Sequence, residues 1–231
     1  MSSGGSAADA GRHAMAARFF TASDERADSF VFQLPSTWWS RPYEYAWCAG
    51  FANPDDVVLD AACGISHPFK FFLADRCKEA HACDWDARIL SETDIYMDVV
   101  RDFGKGAAEI LMRTSGLSGL RRAHASIAAL PYPGEYFDTI FCISVLEHLG
   151  AADVTAALGE FARTLKPAGR LVLTFDYPTV DLHRFRELAQ EQGLIIAGGF
   201  ADALPADAVT SELWGRLYCY RAVLHKRLYV K

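Results

Sequence analysis

The run Val57-Val58-Leu59-Asp60-Ala61-Ala62-Cys63-Gly64 carries an apolar strand pattern into a turn of small residues, with a carboxylate at its mouth. Small residues at the carboxyl end of a buried strand let the backbone approach a ligand closely. Asp84 closes the second apolar run, His81-Ala82-Cys83-Asp84, and Trp85 follows it. It stands about twenty residues beyond the first turn, where Rossmann-type sheets set a carboxylate against ribose hydroxyls. The pair reads as a nucleoside site. A pyrophosphate is poorly served there, because the turn lacks G-x-G-x-x-G, holds glycine only at Gly64 and carries the charge of Asp60. A phosphate-free nucleoside bearing cationic groups suits that charge better.

Other residues invite chemical roles. His148 carries an imidazole, the side chain most used for proton transfer, and is a candidate general base. Trp85 offers an indole face on which a base can stack. Arg41, in Trp38-Trp39-Ser40-Arg41-Pro42-Tyr43, has the planar fork that grips a carboxylate, and Trp39 and Tyr43 beside it are candidates for a lid over a cation. No H-E-x-x-H or paired C-x-x-C spacing is present, so no metal site is expected.

These residues need a scaffold. Short β-branched or apolar runs alternate with helical patterns, the signature of a parallel sheet covered on both faces. Strands are expected at Val57–Leu59, Ala80–Cys83, Ala123–Ile127, Thr139–Ile143 and Leu171–Phe175, with Leu194–Ala197 and Tyr218–Leu224 completing seven. Val154, Leu158, Phe161, Ala162 and Leu165 form a one-sided helical stripe, expected to stop at Lys166 before Pro167. Leu182, Phe185 and Leu188 mark another helix, and the long stretch Trp85 to Arg122 has room for an extra one. The expected architecture is α/β and Rossmann-like, a seven-stranded mostly parallel sheet with helices on both faces. An aromatic-rich helical cap at 18–50 precedes a core at 51–231, the two forming one domain. Residues 1–17, rich in Gly, Ser and Ala at their start, are expected to be disordered.

Composition narrows the function. At 231 residues and 51% hydrophobic, the chain can bury one sizeable core. A net charge of -6 argues against a surface that neutralises nucleic-acid phosphates. No apolar run approaches the roughly 18 residues of a membrane span, and Met1 to Ala17 lacks the apolar h-region expected of a secretory signal. Six scattered cysteines read as free thiols of a cytoplasmic protein.

Taken in order, Leu59-Asp60-Ala61-Ala62-Cys63-Gly64, Asp84, Leu130-Pro131-Tyr132-Pro133 with Phe137-Asp138, Val145-Leu146-Glu147-His148-Leu149 and Leu165-Lys166-Pro167-Ala168-Gly169 resemble the motifs of the class I S-adenosylmethionine (SAM) dependent methyltransferases. The resemblance spans roughly Asp55 to Val180. It implies SAM as cofactor, S-adenosylhomocysteine (SAH) as product and in-line methyl transfer, which positioning can largely drive. Asp60, Ala62, Cys63, Gly64, Asp84, Trp85 and Ile143 fall at cofactor positions. The family usually has glycine where Ala62 stands and often an acid where Ser126 stands; the Ser126 hydroxyl, or a backbone carbonyl with the Ile127 N–H, can take over the contact to adenine. A small-molecule acceptor is expected. The competing expectations are a macromolecular acceptor, against which the missing N-P-P-Y after the fourth strand counts, and a non-catalytic SAM or SAH binder.

Overall fold

The computed structural model describes residues 15–114, 116–213 and 215–227. In chain order the elements are β1 (Arg18–Phe19), β2 (Ser29–Phe30), β3 (Phe32–Gln33), α1 (Arg41–Ala49), β4 (Val57–Ala61), α2 (Phe69–Arg76), β5 (Glu79–Asp84), α3 (Glu92–Phe103), α4 (Lys105–Arg113), β6 (Leu120–His124), β7 (Phe137–Ile143), α5 (Ala151–Thr164), β8 (Leu165–Tyr177), α6 (Leu182–Glu191), β9 (Leu194–Ile196), β10 (Thr210–Ser211) and β11 (Leu217–Lys226). Two short 3-10 turns, Ala87–Leu90 and Leu146–His148, sit at the ends of strands β5 and β7.

The main sheet runs β1-β11-β8-β7-β4-β5-β6, with β9 and β10 also paired to β11. Strands β6, β5, β4, β7 and β8 are parallel, and β11 is antiparallel to β8. The expected seven strands are β4 to β9 and β11, and the two-residue β1 and β10 extend the edge. From β4 the chain moves outward to β5 and β6, then returns to β7 on the other side of β4. That reversal opens a crevice at the carboxyl ends of β4 and β7, where open α/β sheets bind ligands.

Both faces of the sheet's centre are buried, so its inner strands are mostly apolar rather than alternating. Leu171 and Leu173 pack with Val154, Leu158 and Phe161 of α5 and Phe185 of α6. Val172 points the other way and packs with Phe69 and Phe71 of α2, Ile95 of α3 and Leu111 of α4. All five residues of the α5 stripe, Val154, Leu158, Phe161, Ala162 and Leu165, are buried.

Several boundaries differ from the sequence expectation. The third strand is Leu120–His124, three residues earlier than Ala123–Ile127. It is an edge strand whose exposed residues pair with neighbours, Arg122 with Glu92 and Arg121 with Glu79, so polarity hid it. Ser126 and Ile127 consequently lie in the loop that follows. Helix α5 ends at Thr164, whose hydroxyl donates to the Glu160 carbonyl, and β8 starts at Leu165. The cap is helical only in α1; β2 and β3 form a small separate hairpin. Of residues 1–17, 1–14 lie outside the described residues, whereas Ala17 is fully buried and bridges to Phe200. The Ala17 N–H donates to the Gly199 carbonyl at 2.8 Å, which ties Ala17 itself into the fold. Among the described residues no helix is long and apolar enough to cross a membrane.

Candidate active site

The turn after β4 is held by its neighbours. The Cys63 N–H donates to the Cys83 carbonyl at 3.0 Å, and the Gly64 N–H donates to Asp84 Oδ2 at 2.8 Å. The other oxygen, Asp84 Oδ1, accepts the Asp86 N–H at 2.9 Å. Each oxygen therefore keeps a lone pair for a ligand. Ala62 sits at φ 55° and Gly64 at φ 62°, both left-handed. Glycine adopts that conformation freely, which explains why the related motif prefers it at the position of Ala62.

Beneath the turn lies Lys70, completely buried near the start of α2. Its Nζ donates to the Gly64 and His67 carbonyls, both at 2.7 Å. Burial lowers the Lys70 pKa, against the pull of Asp60 and Asp84 towards the charged form. Asp60 is also buried, and desolvation lifts its carboxyl to about 7, with Lys70 working downward and Asp84 upward. The sequence expectation missed Lys70, because one lysine in Phe69-Lys70-Phe71-Phe72 gives no sign that it faces inward.

Three cavities meet at this crevice. The first, about 280 Å³, is bordered by Asp60, Ala62, Cys63, Gly64, Asp84 and Ile143, with Arg41, Tyr45, His67 and His148 on its far wall. The second, also about 280 Å³, shares Ala62 and is walled by Trp85, Ser126, Ile127 and Val145. Trp85 is 76% exposed, so one indole face is free for a ligand. The Ser126 hydroxyl accepts the Ala128 N–H at 3.1 Å and keeps its own O–H to donate. The third cavity, about 480 Å³, is lined by Trp38, Trp39, Arg41, His67, Glu147 and Asp176 and shares Arg41, His67, Ser144 and His148 with the first.

Every candidate residue but one therefore borders this crevice. The exception is Tyr43, which packs with Phe20, Val209 and Cys219 beneath the Arg26 guanidinium. Helix geometry gives the reason: two residues after Arg41 is the opposite face of α1, and four residues after it is the same face. Tyr45 is accordingly the tyrosine that reaches the cavity, its hydroxyl 2.8 Å from His67 Nδ1. An i, i+4 count from Arg41 finds it.

Arg41 is anchored rather than free. Its Nη1 donates to Glu44 Oε2 at 2.5 Å and to Ser144 Oγ at 2.6 Å. His67 stacks on Trp38 at 4.3 Å, and burial, aided by Arg41 and Lys70, holds it neutral by lowering its pKa well below the usual imidazole value. His148 borders both the first and third cavities from the turn after β7. Among the described residues, no group of three or more His, Cys, Asp or Glu could hold a metal ion. All six cysteines are free, and five are buried.

A methyltransferase domain model matches residues 59–173. The fold is similar to a TehB-like SAM-dependent methyltransferase from Corynebacterium glutamicum, at 18% identity and TM-score 0.55 over 80% of this chain and 87% of that one. It is also similar to a 1,6-didemethyltoxoflavin-N1-methyltransferase from Burkholderia thailandensis solved with its namesake compound and SAH, at 15% identity and TM-score 0.53 over 84% and 80%. The [4+2]-cyclase SpnF shares the fold at 15% identity and TM-score 0.58 over 92% and 87%. Residues 59–173 thus match a methyltransferase domain, and the fold is that of the class I SAM-dependent methyltransferases.

Proposed function

We propose that the chain transfers the SAM methyl group to a small-molecule acceptor. The observation that carries this reading is the shared wall: a cavity bordered by the Asp60 to Gly64 turn and Asp84 has Arg41, His67, Ser144 and His148 in common with a larger one. In this reading Asp84 accepts the ribose hydroxyls, Trp85 covers the adenine, and Ser126 and Ile127 hold its edge. Ile143, Ala62, Cys63 and Gly64 shape the floor, and Asp60 faces the cationic end of the cofactor. SAM supplies a methyl group already activated on a sulfonium.

What the protein contributes is alignment and exclusion of water. The indoles of Trp38 and Trp39 wall the acceptor cavity, which suits positioning as the main source of rate. We assign His148 as the candidate base, since it borders both cavities. Residues 18–231 act as one domain in this reading, because β1 joins the main sheet and α1 contributes Arg41 to the site. Free, mostly buried thiols accord with a cytoplasmic protein.

Asp60 gives a pH test. Its carboxyl, lifted to about 7, is largely protonated at pH 6 and ionised at pH 8, and only the ionised form attracts a cation. SAM affinity is expected to rise from pH 6 to 8, and Asp60→Asn to abolish that rise. Calorimetric titration at the two pH values checks it. Screening metabolites with isotopically labelled SAM then tests the transfer itself: labelling of macromolecules but of no small molecule would reject this reading.

A further inference from the structure

We propose that the acceptor is a cationic amine, seated in the third cavity against the indoles of Trp38 and Trp39 and the carboxyls of Glu147 and Asp176. The inference rests on the methyltransferase reading above. Beyond its own backbone N–H, neither buried oxygen of Glu147 has a hydrogen-bond partner among the described residues, and Asp176 Oδ1 has none either. Buried polar atoms left unpaired cost folding free energy and are retained where a ligand completes them. An ammonium ion brings three N–H donors and a positive charge, the complement of the Glu147 oxygens and Asp176 Oδ1.

The walls make the same selection. Indole faces attract cations. A carboxylate or phenolate acceptor would meet Glu147 and Asp176 with like charge. The cation in this wall, Arg41, already spends its Nη1 on Glu44 and Ser144. Burial lifts Glu147 to about 8 and Asp176 to about 6, so near neutral pH the pair holds about one negative charge and one proton.

The transfer balances as follows. Binding of the ammonium drives Glu147 to its carboxylate and releases a proton to solvent. For an amine acceptor Glu147, rather than His148, takes one proton from the ammonium, and the freed nitrogen lone pair forms the N–C bond as the C–S bond breaks. Sulfur keeps that electron pair as a thioether, and the nitrogen leaves as a methylated ammonium.

The test titrates SAH-loaded protein with benzylamine, phenethylamine and tryptamine, beside the matching alcohols and carboxylates. At least one amine is expected to bind tenfold or more above its alcohol, with the carboxylate weaker still. E147Q/D176N should erase the preference while SAH affinity stays within twofold. In the wild type, amine affinity should rise from pH 6 to 9 while alcohol affinity stays flat. Facing this pair, Arg41 stays charged, Glu44 stays ionised and His67 stays neutral over that range. His148 also faces it, and H148Q should keep the rise. Binding of SAH without any amine preference, or a preference that survives in E147Q/D176N, overturns the amine inference alone; failure to bind SAH overturns the methyltransferase reading and this inference with it.

Discussion

Replacing Glu44 by alanine is expected to destabilise the protein by about 3–5 kcal/mol, the range for stripping one partner from a buried charge pair. Glu44 is wholly buried on α1 and gathers four elements onto one carboxylate. Its Oε2 accepts from Arg41 at 2.5 Å; its Oε1 accepts from Ser144 at 2.6 Å, Thr174 at 2.5 Å and Cys219 Sγ at 3.5 Å. Alanine leaves the Arg41 guanidinium without its counter-charge and two hydroxyls without their acceptor. Urea unfolding at pH 7 measures the loss, and Arg41→Met added to Glu44→Ala should recover part of it by removing the stranded charge.

The same carboxylate carries a pH signature. Burial pushes its pKa up, but Arg41, Ser144 and Thr174 outweigh burial and hold it below the ordinary carboxylate value. A depressed folded pKa means the contribution is present above the ordinary range and disappears as pH falls through the folded value. The stability gap between wild type and Glu44→Ala should therefore be full at pH 7 and close in strong acid.

Gly64→Ala is expected to damage the cofactor site almost as severely. The backbone there is left-handed at φ 62°, and an added Cβ would stand 2.6 Å from His67 Cδ2. Relief by moving His67 is resisted, since that ring is stacked on Trp38 and bonded to Tyr45. Strained backbone and forced overpacking together cost about 2–4 kcal/mol. If the free turn relaxes to relieve that strain and must return to its native geometry to hold SAM, the same energy becomes a loss of affinity of roughly 30- to 700-fold. Isothermal calorimetry reads it directly. The double variant G64A/H67A should regain the portion due to the clash and keep the portion due to φ, whereas undiminished binding in Gly64→Ala would show that this turn does not touch the cofactor.

What sequence revealed, and what it hid, follows from the range of the interactions. The β4 turn, Asp84 and the α5 stripe are local patterns of a few residues, and each falls where its spacing predicts. The phase of α1 is harder to read. Tyr43, Tyr45 and Trp47 place aromatics on several faces of a nine-residue helix, and only its start at Arg41 decides which tyrosine faces the site. The edge strand β6 was displaced in the sequence reading because Arg121, Arg122 and His124 break the apolar pattern that marks interior strands. Least legible are the long-range partners. Glu44 meets Ser144, Thr174 and Cys219 across separations of 100, 130 and 175 residues, and Glu147 meets the cavity of Asp176 only once β7 and β8 lie side by side. No local spacing encodes such contacts.

The most direct test of the central claim is calorimetric titration of the purified protein with SAH, wild type beside Asp84→Ala. Asp84 ties the Gly64 and Asp86 amides together, and losing a charged acceptor costs about 1.5–3 kcal/mol per hydrogen bond. The account predicts one-to-one micromolar binding to the wild type and a fall of at least about tenfold in the variant, by that same measure. Absence of SAH binding to the wild type, or equal binding to both proteins, would contradict it.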